Sequence, residues 1–127
     1  MKKLLFICLL LLSLKSYSET SDNTSVSSFY KLIKETPNST VRLSYIKGLL
    51  EGIASVYSSE TFRNEDDREF RNNVSVCLLT SDASIIEDIF VKKYLDGELD
   101  DNDFRTLALY RISIEYCIKK EIKKKNK

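Results

Sequence analysis

Residues 77–117 read CLLTSDASIIEDIFVKKYLDGELDDNDFRTLALYRISIEYC, with a cysteine at each end. The spacing predicts a helical hairpin closed by those cysteines. Thr80 or Ser81 can cap a first helix, whose apolar residues Ile85, Ile86, Ile89, Phe90 and Tyr94 recur at the three- and four-residue intervals of a buried helix face. Gly97 ends it. Asp100 or Asp101 then caps a second helix with an acidic first turn, whose stripe Phe104, Leu107, Tyr110, Ile114, Cys117 and Ile118 leads to a lysine-rich end suited to the helix dipole. At about 1.5 Å per residue, the descent from Ser81 to Asp96 and the return from Asn102 to Cys117 each cover roughly 23 Å, which brings Cys117 level with Cys77.

The beginning of the chain is different in kind. Lys2 and Lys3 precede an apolar run from Leu4 to Leu14, and Ser16 and Ser18 supply the small residues of a cleavage site, so residues 1–18 read as a secretory signal peptide. The run is too short to span a bilayer, and no stable membrane anchor is expected. Cys8 falls within the signal and follows Ile7 rather than the small residue of a lipoprotein signal. Two cysteines remain, and an even count in an exported domain favours one structural disulfide, Cys77 to Cys117, over a free reactive thiol. Closing a loop of about 40 residues contributes roughly 4 kcal/mol in the chain-entropy account.

The 127 residues carry a formal charge of +1, and loss of Lys2, Lys3 and Lys15 with no acid turns that to −2. Nucleic acid is not implied. The run from Lys119 to Lys127 is the basic exception, readable either as a solvated helix end or as a contact for anionic lipid or polymer.

After cleavage, residues 19–28 form a polar lead-in expected to be flexible, and residues 29–127 form a single helical domain. Phe29, Leu32 and Ile33 mark a short helix before a turn at Pro37, Asn38 and Ser39. A longer helix from about Thr40 to Tyr57 is apolar over more than half its circumference, with Ser44, Lys47, Glu51 and Ser55 as its polar strip, so it is expected at the centre. Gly48 and Gly52 lie one turn apart on it, at a cost of about 1 kcal/mol each against alanine. Close approach of another helix or of a second subunit would explain them, and a ligand against bare backbone is the sharper alternative. Residues 58–76 are the least regular part, with Glu65, Asp66, Asp67, Arg68 and Glu69 in a charge-dense connection anchored only by Phe62 and Phe70. Such a connection is either a solvated loop or a recognition element. No strand pattern occurs. The expected class is all-α, a small bundle of four to five helices with one disulfide.

Catalytic groups are scarce. The chain has no histidine, which removes the usual general base, the histidine-activated nucleophiles and the commonest metal ligand. The carboxylates lie in polar runs where nothing separates their pKa values. Asp100, Asp101, Asn102 and Asp103 lack the glycine and distal glutamate of a calcium loop and read as a helix cap. No metal, no cofactor and no catalytic residue is expected; the residues describe a binder.

Tyr45-Ile46-Lys47-Gly48 with Gly52, then Cys77 followed by a polar cap and a helix ending Lys93-Tyr94-Leu95, then a last helix closing on Cys117, make residues 40–118 resemble the Rap/Tai immunity proteins. These are small exported helical proteins that protect bacteria from peptidoglycan-cutting amidases delivered by type VI secretion. The chain departs from the pattern at Ser44, Leu78 and Ile118. The resemblance implies a periplasmic homodimer that plugs the groove of an amidase effector with a protruding segment. The charged residues 63–71 are the expected segment, the turn Asp96 to Asp103 is its rival, and Gly48 and Gly52 are the expected dimer contact. A periplasmic acid-stress chaperone is the alternative reading.

Overall fold

The computed structural model describes residues 24–36, 39–59, 61 and 63–127. The expected signal peptide, residues 19–23 of the lead-in, the Pro37-Asn38 turn and the Phe62 anchor lie outside them. Among the described residues five helices follow in order: α1 (Val26–Glu35), α2 (Thr40–Ser59), α3 (Glu65–Thr80), α4 (Ala83–Leu95) and α5 (Arg105–Lys125). The domain is all-α, and the one β-type pairing among the described residues is an isolated bridge between Ser25 and Phe104.

α2 is central, as its apolar circumference predicts. It packs against α3, α4 and α5, and it buries Ile46, Leu50, Ile53 and Ala54. Around it close Val74, Cys77 and Leu78 of α3, Ile86 and Phe90 of α4, and Ala108, Leu109, Ile112 and Cys117 of α5. Each fully buried large side chain contributes roughly 1.5–3 kcal/mol by leaving water. α1 is fastened by its aromatic rings: Phe29 meets Phe90 edge-on at 5.1 Å and Tyr45 at 6.2 Å, while Tyr30 stacks on Tyr94 at 4.2 Å.

The Cys77–Cys117 disulfide is formed, with Cα atoms 5.7 Å apart. It joins the last turns of α3 to α5 rather than springing from a cap residue. Buried Ser81 sits over it, donating to the Cys77 carbonyl and lying 3.6 and 3.8 Å from the two sulfurs.

Several local expectations are corrected. The connection expected between residues 58 and 76 is mostly helix, because Asn64 caps α3 and Phe70, Val74, Cys77 and Leu78 recur at helical spacing. α4 is capped by Asp82, whose side chain accepts from the Ser84 amide at 3.0 Å, and not by Thr80 or Ser81. α5 begins at Arg105 with Phe104 as an uncapped N-cap and no acid in its first turn. Its buried face is rotated from the expected stripe: Ala108, Leu109, Ile112, Ser113 and Cys117 face inward, and Phe104 is 65% exposed. Small Ala108 and Ser113 let a neighbouring helix approach, which large side chains there would prevent. The lead-in ends before Ser28, since Ser25 caps α1 and Val26 is buried.

Candidate functional site

The acidic start of α3 is ordered by its own side chains. The Asn64 side-chain Oδ1 accepts from the Asp67 amide at 2.9 Å, and the Asp67 carboxylate accepts in return from the Arg63 amide at 3.0 Å and from Arg71 Nε at 3.3 Å. The Arg63 hydrogen bond is the main reason that the Asp67 carboxyl is held below its ordinary 3.8. Arg71 also lies over the Tyr57 ring at 5.2 Å, tying this turn to α2. Glu65 pairs with Arg68 at 2.7 Å across one turn. Asp66 and Glu69 are exposed and have no ion pair among the described residues. Of the five predicted residues, then, Asp67 serves the cap, Glu65 and Arg68 partly neutralise each other, and Asp66 and Glu69 offer their charge outward. This charge is presented by a capped helix end and not by a loop.

The rival turn is occupied from within. The carbonyls of Asp103 and Asp101 accept the Val26 and Ser27 amides at 2.8 and 3.2 Å, and the Arg105 amide donates to Thr24 at 2.8 Å. The Asp100-to-Asp103 cluster thus satisfies the free amides at the start of α1 instead of capping α5. The Tyr94 hydroxyl donates to Asp101, which pushes the Tyr94 pKa up. Gly97 adopts φ +73° and closes α4 as the sequence predicts.

The two acidic surfaces lie at opposite ends of α5. The turn immediately precedes Arg105, while Lys125 Nζ sits 5.3 Å above the Phe70 ring of α3. A helix of 21 residues is about 30 Å long, so one protomer cannot present both surfaces to a single small cleft.

Gly48 and Gly52 are both exposed, and a Cβ at either would meet nothing within 4 Å. Close approach by another helix of the chain, one of the three expected explanations, is therefore not found among the described residues. Gly48 instead borders an open groove of about 710 Å3, shared with Ser44, Lys47 and Glu51 and walled opposite by Ser81, Asp82 and Ala83. Lys47 donates to the Leu79 carbonyl and bridges α2 to α3. Val41 and Val56 are 78% and 60% exposed on the same helix.

No group of His, Cys, Asp and Glu among the described residues is arranged to hold a metal ion. No described helix is long and apolar enough to cross a membrane. No protein-family model matches the chain, and no curated protein or solved structure matches it either. Two features escaped the sequence: the Asn64 cap, whose signal was an Asn three residues before an acid, and the buried Arg42–Glu87 pair, which no local pattern announces.

Proposed function

We propose that the protein is an exported inhibitor that binds a peptidoglycan-cleaving amidase and occludes its active-site groove, acting as a periplasmic immunity protein. The observation that carries this reading is the start of α3, where outward carboxylates stand on a helix end held by its cap and by Arg71 over Tyr57. A preorganised acidic projection suits the cleft of a cationic wall-binding enzyme, because little ordering remains to be done on binding and the charge speeds encounter. The absence of histidine and the resemblance of residues 40–118 to the Rap/Tai proteins support the same reading.

A second copy of the chain completes it. Ser44, Gly48, Gly52 and Ser55 form a strip of small residues on the exposed face of α2, flanked by Val41 and Val56. Two glycines in a helix cost about 1 kcal/mol each against alanine, and a partner backbone lying close against them would offset that cost.

The test replaces Glu65, Asp66 and Glu69 by Lys and leaves Asp67 in its cap. Periplasmic pull-down with the wild-type chain identifies the bound enzyme, and the variant is expected to lose both capture and protection while its helical circular dichroism stays unchanged. Wild-type protection by that variant would place the recognition surface elsewhere.

A further inference from the structure

α4 and α5 leave an open groove of about 350 Å3 between them, lined by no residue of α3 or of the glycine strip. Its floor is Ile89 of α4 with Ile112 and Tyr116 of α5, and Lys93, Glu115, Lys119, Lys120 and Lys123 stand round it. The charges divide into two sets. At one end Lys93 bonds Glu98 at 2.6 Å and reaches toward Glu115 at 3.9 Å, while Lys119 bonds Glu115 at 2.6 Å, so those groups neutralise one another. At the other end Lys120 and Lys123 have no carboxylate partner among the described residues, and Lys120 lies 5.8 Å from the Tyr116 ring. The one acid among residues 119–127, Glu121, is turned away and 5% exposed, accepting from Asn73 at 3.0 Å and pairing with Lys124 at 3.5 Å. The groove therefore runs from a neutral apolar part to a cationic end over the length from Ile112 to Lys123, on the order of 16 Å.

An occupant must satisfy both halves. An apolar floor in water is stabilised by an apolar cover, and unpaired ammonium groups beside it favour an anion. A small anion alone leaves the floor wet, and a neutral chain alone leaves the lysines unanswered. A flat bilayer meets convex faces and cannot reach the bottom of a concave groove. We propose that this groove binds a single anionic amphiphile, a phosphate- or carboxylate-headed molecule with one acyl chain, its head at Lys120 and Lys123 and its chain along Tyr116, Ile89 and Ile112. The site is independent of the inhibitor reading and of the α3 surface.

Dodecyl phosphate, kept below its micelle concentration, is the probe. Calorimetric titration into the whole protein is expected to give a saturable one-to-one isotherm, with amide shifts in nuclear magnetic resonance spectra concentrated at Ile89, Ile112, Tyr116 and Lys120. Lys120→Gln and Lys123→Gln, both at exposed positions, are each expected to weaken binding by roughly tenfold, the effect of losing one charge-assisted contact. Inorganic phosphate and dodecyl maltoside should show no saturable binding over the same range. Equal binding of dodecyl maltoside, unchanged affinity in the two lysine variants, or shifts that lie outside the groove would each overturn the proposal. So would capture by phosphatidylglycerol vesicles without binding of the monomeric probe, or a titration that ends in loss of helical signal instead of saturation.

Discussion

Arg42 and Glu87 are bonded at two points inside the domain, Nε to Oε2 at 3.1 Å and Nη2 to Oε1 at 3.2 Å, with side chains only 8% and 12% exposed. The pair joins α2 to α4, and Arg42 Nη1 also donates to the Thr36 carbonyl at 2.6 Å, which draws the end of α1 into the same knot. Taking one partner away strands a charge in the interior. Glu87→Ala is expected to cost about 3–5 kcal/mol in urea unfolding, while Arg42→Met combined with Glu87→Leu should come within about 1–2 kcal/mol of the wild type, because an apolar pair of similar volume needs no desolvation of ions.

The disulfide spans 40 residues of sequence and ties α3 to α5. Reducing it, or replacing both cysteines by Ala, is expected to lower unfolding free energy by about 4 kcal/mol, read from denaturant midpoints of oxidised and reduced protein. An equal midpoint in both states would show that the staple constrains nothing.

Gly48→Ala and Gly52→Ala should each raise the stability of the dilute protein by about 1 kcal/mol, since the new methyl meets open space and alanine is the better helix former. The same changes monitored by sedimentation at high concentration should weaken self-association if a second copy packs on this strip. Thermal melts at the two concentrations separate these effects.

Acid should loosen the start of α3. The Asp67 carboxyl is held low chiefly by the Arg63 amide, so its contribution is fully present above its unfolded value, near the ordinary 3.8, and is lost as pH falls below that through the folded value. Amide exchange at Arg63 and Asp67 should accelerate in that acidic window and stay flat above it. Asp67→Asn should remove the dependence. The side chain is only partly buried and its bonds lie within one turn, so the effect is local fraying and not global unfolding.

The bundle was legible in the sequence where pattern and chemistry agreed. The cysteines at the ends of two length-matched segments predicted their bond, Gly97 predicted the end of α4, and Ile86 and Phe90 fell in the core as their spacing required. α3 was obscured because its first turn is dense in charge and its apolar residues were divided at Cys77, although Phe70, Val74, Cys77 and Leu78 keep one face. α5 is apolar on two sides, and hydrophobicity alone set its phase wrongly: Leu107 and Tyr110 look like core residues, while packing selected Ala108, Leu109 and Ser113. Arg42 could not be read at all, since its burial depends on a glutamate 45 residues away. For the acidic segment, composition located the charge but not its division between a cap, a neutral pair and two outward carboxylates.

The backbone clasp between Thr24 and Arg105 gives the molecule a direction. Thr24 stands at the foot of α5 and Lys125 at its head, beside Phe70 and the acidic turn of α3. A bulky fusion therefore casts a shadow on one end and spares the other. A fluorescent protein placed after Lys127 would screen the α3 surface, whereas one placed before Thr24 would screen the turn at Asp100, so a pair of fusions reports which end a partner approaches while every described side chain stays native.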